Sequence, residues 1–327
     1  MSFIKKIVPK KVKIIAKLSK LYAYDFNRFI KNSNVYQTFD TENKLKGKLT
    51  IYYHVLEKGL TMPDTRLGFG EPVVLELIDM MNMYLDKKYN LSSLEFVHSM
   101  NVLEEYVEFH DKKSFALKQA ITDQVAKLRL RITAYETPKQ FEFDRDVYFA
   151  HRESSFDKFC LSRYSSRNYS DVLIPEEVLM KCVRLALKSP TSCNRQVNRI
   201  YMVRSAEMKQ EVLKLQYGNR GFGHLADTLF VITADISVFQ GPNDRNESFV
   251  NSGMFAMSLL YALHRYDIGA CPLNWSVEVH RDLKLRQLLG IPNNERVGLV
   301  VSCGYLPEKI KIASSPRLDA EEVVKIL

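Results

Sequence analysis

The feature that most restricts this chain is a change of pattern near residue 140. Before it, apolar residues recur at helical spacing and no strand-like run appears. Helices are predicted over Lys10–Lys31, over Glu42–Lys58 with an end at Gly59, and from Pro72 to the Lys87-Lys88 pair. Ser92-Ser93-Leu94-Glu95 reads as a capping box opening a helix to about His110, and Lys113–Ala134 repeats the helical period until Thr137-Pro138 stops it. Beyond the boundary, short β-branched or aromatic runs (Arg199–Val203, Thr228–Ala234, Val297–Ser302) alternate with helical stretches such as Ser154–Leu161, Asn251–Tyr266 and Val279–Leu289. Strands interleaved with helices indicate α/β or α+β architecture, so residues 1–145 are expected to form an all-helical domain and 146–327 a helix-covered sheet.

Composition narrows the function. Hydrophobic residues make up 46% and charged residues 26% of 327, which suits a protein with sizeable cores. Apolar runs all fall short of the ~18–20 residues of a membrane span, and lysines interrupt the apolar clusters at the N-terminus, so a cytoplasmic protein is expected. The five cysteines are odd in number, with no C-x-x-C pair, which favours buried free thiols over disulfides or a cysteine zinc site. Of the net charge of +9, seven units are lysines within residues 1–20, leaving +2 for the rest, so a nucleic-acid partner is not expected.

Phosphate-loop and dinucleotide fingerprints are absent: Gly221-Phe222-Gly223 lacks a third glycine and precedes a strand. His54 and Glu57 share a helix face, but two residues do not make a metal site. The chemistry lies in the second half. Ser162-Arg163-Tyr164-Ser165-Ser166-Arg167, expected at a helix–strand junction, offers two guanidiniums and several hydroxyls; alone it fits either a phosphate site or a solvated basic turn. Ser189-Pro190-Thr191-Ser192-Cys193-Asn194-Arg195-Gln196 packs donors and acceptors into one loop, suited to the edge of a heteroaromatic ring or to an ordinary polar turn.

Together these segments, with Asn251-Ser252-Gly253-Met254, Ile268-Gly269-Ala270-Cys271-Pro272-Leu273-Asn274-Trp275, Val300-Val301-Ser302-Cys303-Gly304-Tyr305 and then Arg317, resemble the FMN-dependent nitroreductase family in order and spacing across roughly residues 155–327. The resemblance implies an α+β fold, a nitroreductase-like sheet flanked by helices. It implies FMN held at Arg163, Tyr164, Ser165, Arg167, Thr191, Ser192, Asn194, Gln196, Pro272, Leu273, Asn274 and Arg317. Arg163 and Arg317 would meet the phosphate, with Ser165 beside them, and Arg167 the N1–C2=O edge. Pro272, Leu273 and Asn274 would cover one ring face. Thr191, Ser192, Asn194 and Gln196 would approach from the partner subunit of a homodimer with flavin at its interface. NAD(P)H would supply hydride for a small-molecule acceptor, with no catalytic side-chain nucleophile and no metal. The segment Tyr217–His224 would also reach the flavin.

Two departures stand out: Val197-Asn198 follows the glutamine where a Pro-Trp type pair is usual, and Ser315 replaces a lysine before the last arginine. The first half, with His54-Val55-Leu56-Glu57-Lys58-Gly59-Leu60 and Arg66-Leu67-Gly68-Phe69-Gly70, resembles a bacterial nitroreductase-like subgroup carrying a helical N-terminal extension and sometimes associated with surface-polysaccharide genes. Its His54, Glu57 and Lys58 share one helix face, either facing a ligand or forming a structural joint. Residues 1–20 alternate lysines with apolar clusters, which fits docking on the helical domain and also fits contact with an anionic membrane surface. A flavin-binding module without turnover and a membrane-peripheral accessory therefore stay open beside the enzyme.

Overall fold

The computed structural model describes residues 8–132 and 137–327. It divides into two compact units that are not two consecutive stretches: Ser33–Phe143 with Lys311–Leu327, and Asp144–Ile310 with the first helix. The crossing at residue 144 falls beside the expected boundary. The departures are the two ends of the chain, each of which clusters with the other unit from the one expected.

The helical unit is built from α2 (Glu42–Leu60), α3 (Glu71–Asp86), α4 (Leu94–Lys112) and α5 (Gln119–Arg131); α1 (Lys10–Asn32) belongs to the other unit. Leu45, Leu49, Leu56 and Leu60 line one face of α2 and are buried, as their spacing dictates. They join Leu77, Ile78, Tyr84, Phe96 and Tyr106 in one core. Gly59 does not end α2, as expected, but lies inside its last turn. A Cβ there would sit 1.9 Å from the Phe69 ring, so glycine serves close packing. The expected capping box Ser92–Glu95 also fails: α4 starts at Leu94, so Ser93 and not Ser92 precedes it, and Ser93 does not cap it, its Oγ lying 3.0 Å from the buried Tyr84 hydroxyl. Nor does the last helix start at Lys113, since Ser114 takes a left-handed φ of 53° and α5 begins at Gln119.

Glu57 is fully buried in this unit. Its carboxylate lies 2.7 Å from His98 Nε2 and 3.0 Å from His54 Nδ1, and accepts from the Ser315 amide at 3.0 Å and the Ser314 hydroxyl at 3.2 Å. The face shared by His54 and Glu57 is thus a structural joint that fastens the C-terminal segment, whose short helix α12 (Ala320–Val323) carries a genuine capping box at Asp319 and Glu322. The glycine-bearing loop is fastened too: the Gly68 amide donates to His110 Nε2 at 2.9 Å and the Tyr106 hydroxyl to the Phe69 carbonyl at 2.8 Å.

The second unit holds α6 (Arg145–Tyr148), α7 (Phe156–Ser162), α8 (Glu176–Ala186), β2 (Asn198–Val203), α9 (Ala206–Leu215) and β3 (Thr228–Asp235). After them come α10 (Glu247–Arg265), β4 (Ile268–Asn274), α11 (Val279–Leu289) and β5 (Glu295–Tyr305). Strands pair antiparallel in the order β2-β3-β5-β4, with Ile200 opposite Ile232, Phe230 opposite Val301 and Ala270 opposite Cys303. β1 (Phe141–Asp144) and β6 (Lys309–Ile312) form a separate two-stranded ladder. β3 is buried at seven consecutive positions, which requires cover on both faces. α8 and α10 provide one cover, packing Leu179, Cys182, Phe255, Leu259 and Leu263 against Phe230, Ile232 and Val301. This is the expected α+β architecture. Cys182, Cys271 and Cys303 are buried thiols, whereas Cys160 is half-buried and Cys193 exposed.

α1 departs from the expected docking on the helical domain. It buries no residue, and Val12, Ile15, Phe26 and Phe29 are more than half exposed. Its anchor is Asp25, which accepts from Arg245 Nε at 2.6 Å and Nη2 at 2.9 Å, in the sheet unit. Among the described residues, no helix is long and apolar enough to cross a membrane. Residues 1–7, which hold the first apolar cluster, lie outside the described residues.

Burial alone would raise the Glu57 pKa, but its hydrogen bonds to His54, His98 and the Ser315 amide hold it well below the usual carboxylate range. A carboxyl depressed in the folded state contributes stability above its ordinary pKa of 4.5 that is lost as pH falls below it. Glu57→Gln should therefore destabilise the helical unit by about 3–5 kcal/mol at pH 7. The deficit relative to wild type should shrink below pH 4.5. Urea titrations at pH 7 and pH 4 check this, and a constant deficit below 1 kcal/mol would contradict it.

Candidate functional site

β4 is an edge strand in the sheet order, so one side of its backbone is open. The chain that follows α7 uses it. Residues 163–175 form no regular element, rather than the expected strand, and the Ser166 amide donates to the Ala270 carbonyl at 3.1 Å. The approach is close because Gly269 has no side chain: a Cβ there would lie 2.5 Å from Ser166 Oγ. Further along, the Tyr169 hydroxyl lies 3.0 Å from Ser302 Oγ, and a Cβ on Gly304 would strike the Tyr169 side chain at 2.8 Å. The Ser170 amide donates to the Tyr305 carbonyl at 2.8 Å. Two glycines, the Ser166 and Ser170 amides and the Tyr169 hydroxyl thus press this segment onto β4 and β5.

This arrangement fixes Arg163, Tyr164, Ser165 and Arg167. The buried Tyr148 hydroxyl donates to the Tyr164 carbonyl at 2.6 Å. Arg167 is 9% exposed and Arg163 half-buried. The Nε and Nη1 of Arg163 are buried and, among the described residues, have no hydrogen-bond partner. Buried polar groups nearly always have partners, so a guanidinium presented in this way calls for an anion. Close by, Ser162 Oγ lies 2.9 Å from His264 Nε2.

The loop after α8 takes a strained path. Cys193, Asn194 and Gln196 all have positive φ (55°, 54° and 47°), which side chains other than glycine adopt at a cost. The strain is held by the start of α10: Asn251 Oδ1 accepts from the Ser192 amide at 3.0 Å, and Glu247 accepts from the Ser192 hydroxyl. Arg195 is tied to Asp244 at 2.9 Å, and the Gln196 amide donates to Thr191 Oγ1 at 2.9 Å. As a result, Asn194 and Gln196 are exposed. On β4, Pro272 and Asn274 are exposed while Leu273 between them is buried, the alternation of a strand with one open face. Pro272 suits an edge strand. The Asn274 carbonyl accepts from Gln216 Nε2 at 3.0 Å, which brings the 216–224 loop to the end of β4.

The structure therefore gathers Arg163, Tyr164, Ser165 and Arg167 on the segment that Ser166 bonds to β4, and Pro272, Leu273 and Asn274 on that strand. Thr191, Ser192, Asn194 and Gln196 form a second cluster on α10. Arg317 lies in the other unit, where its Nη1 donates to the Ser315 carbonyl. Ser315, at the position of the missing lysine, is occupied with Glu57. Sequence reasoning missed Tyr148, Glu247 and His264, which no motif marks. Gln216 lay one residue outside the segment it had singled out.

Comparison with known proteins places this half of the chain. The family model described as Nitroreductase family matches residues 160–219 and 210–305. A protein of Archaeoglobus fulgidus, described as an NADH dehydrogenase/NAD(P)H nitroreductase, is 32% identical over 151 residues, covering 45% of this chain and 83% of the relative. The chain belongs to the nitroreductase family. It is an oxidoreductase by that membership. A Parabacteroides distasonis protein described as an NADH dehydrogenase/NAD(P)H nitroreductase has a similar structure (18% identity, TM-score 0.47), covering 53% of this chain and 98% of that one. An FMN-dependent nitroreductase of Clostridium difficile does so as well (22% identity, TM-score 0.42), over 50% of this chain and 92% of that one. The family match begins at residue 160, so α2, α3, α4 and α5 of this nitroreductase lie outside it.

Burial, with the nearby Arg163 charge, lowers the His264 pKa from 6.5 to about 4. The unfolded chain then binds a proton that the folded chain refuses, so this contribution leaves stability intact above pH 6.5 and erodes it as pH falls toward 4. Wild type should lose about 2–3 kcal/mol more than His264→Gln between pH 7 and 4.5 in urea titrations. Parallel losses in the two proteins would refute the assignment.

Proposed function

We propose that this chain is an FMN-dependent oxidoreductase that takes hydride from NAD(P)H and passes it to a small-molecule acceptor. The observation that carries the reading is Arg163, whose Nε and Nη1 are buried near His264 and lack a partner among the described residues. The names of relatives support the rest: one carries NADH and NAD(P)H in its description and another is described as FMN-dependent. When bound, FMN supplies a ring that accepts hydride at N5 and gives it up again. The protein binds and orients. Arg163 would hold the phosphate as a charge-assisted donor, with Ser165 beside it and Tyr164 fixing the segment. Arg167 places a positive charge at the N1–C2=O edge, where reduced flavin is negative. Pro272, Leu273 and Asn274 cover one ring face. Thr191, Ser192, Asn194 and Gln196 reach the flavin of a partner subunit in a homodimer; the exposure of Asn194 and Gln196 on a strained, anchored loop supports that role.

The absorbance spectrum of the purified protein, with its bleaching by NADPH without oxygen, tests the reading, and a colourless protein that takes up no added FMN would end it. Arg163→Ala should weaken FMN by about 1.5–3 kcal/mol, or roughly one to two decades in Kd. Full flavin retention on dilution would remove Arg163 from the site. Arg167→Gln should lower the flavin midpoint potential more than it weakens oxidised FMN. Equal weakening of both redox states would leave Arg167 a holding role alone.

A second reading, favoured by the exposed apolar residues of α1 and its lysines, is peripheral contact with an anionic membrane through residues 1–20, as in an accessory protein of a surface-polysaccharide system. Salt-sensitive co-sedimentation with anionic vesicles, lost on deleting residues 1–20, supports it; no sedimentation in either form removes it.

A further inference from the structure

Two adjoining cavities of about 660 and 710 Å³ share Lys214 and Arg281, between α9, the 216–224 loop and α11. Each has the size of a small-molecule site. Their walls carry Lys214, Arg220, Arg281 and Lys284, together with Lys209, which donates to the Ala226 and Asp227 carbonyls, against one carboxylate, Glu211. This concentration is notable because residues 21–327 together carry only +2. A concave basic wall focuses anions. Glu211 is paired with Lys214, and Glu278, just outside, is engaged with Tyr217 and Arg281. Arg220 and Lys284 have no carboxylate within 4.0 Å among the described residues.

The groove also has a platform for a planar ring. The Arg281 guanidinium stacks 4.2 Å over the half-exposed Tyr217 ring and is locked by a 2.8 Å bond to the Lys214 carbonyl. The loop behind it is braced by its own amides: Asn219 Nδ2 donates to the Leu213 carbonyl at 2.8 Å, and Gln216 Oε1 accepts from the Gly218 amide at 2.7 Å. Gln216 ties this wall to Asn274 at the end of β4. A braced aromatic–guanidinium surface beside free cations fits a nucleotide better than a peptide, since it can stack a base and neutralise phosphates together.

We propose that this groove binds the phosphorylated adenosine end of the electron donor, and that Lys284 with Arg220 makes the enzyme prefer NADPH to NADH. The assignment of the donor rests on the function proposed above; the nucleotide site does not. Calorimetric titration of the full chain with 2′,5′-ADP at low salt is expected to show binding at least tenfold tighter than 5′-AMP. Lys284→Glu, on the exposed face of α11, should weaken 2′,5′-ADP at least tenfold and raise the KM for NADPH tenfold while that for NADH moves less than twofold. No heat with millimolar 2′,5′-ADP, equal affinity for 5′-AMP or inorganic phosphate, or an unchanged Lys284→Glu variant overturns the site. A colourless protein that still binds 2′,5′-ADP in this pattern upholds the groove and rejects the flavin reading.

Discussion

The ladder that β5 shares with β3 on one side and β4 on the other carries most of the sheet unit. Ser302 and Gly304 on β5 receive Tyr169 and so hold the segment that bears Arg163 and Arg167. Gly298, on the same strand, lets α10 come so near that a Cβ there would lie 2.6 Å from Ser252. α10 in turn anchors the strained 191–196 loop through Asn251 and Glu247. Both clusters of candidate residues thus refer to one strand. A slip of β5 by one residue would turn its inward side chains outward and displace both.

Elements built on strong periodicity were legible in the sequence. The leucine spacing of Glu42–Leu60 and the unbroken apolar run of Thr228–Asp235 follow their patterns because their own side chains decide what is buried. The misreadings are places where a distant partner decides. Ser93 has the chemistry of a cap, yet Tyr84 claims its hydroxyl. Gly59 looks like a helix terminator, yet Phe69 needs the space. The amphipathic pattern of α1 suggested burial, but the ion pair at Asp25 holds it while its apolar residues stay exposed.

The candidate site divides in the same way. The arginine-and-serine segment, the polar loop and the end of β4 were readable as motifs, because their composition is unusual for turns. Their supports were not. Tyr148, Glu247 and His264 act through hydrogen bonds to residues 16, 55 and 102 positions away, and single residues of common types leave no local mark. The role of Ser315 was hidden for a related reason: its partner, Glu57, sits in the other half of the chain.

That last separation bears on how the molecule is made. Glu57 precedes Ser314 by 257 residues, so a ribosome adding about 5–20 residues each second leaves the carboxylate without its serine partners for roughly 13–50 s. Throughout that interval the helical unit must keep Glu57 hydrated, or share it with His54 and His98 alone. Its final closure therefore waits for residues 314 and 315, long after the helices that surround Glu57 have been made.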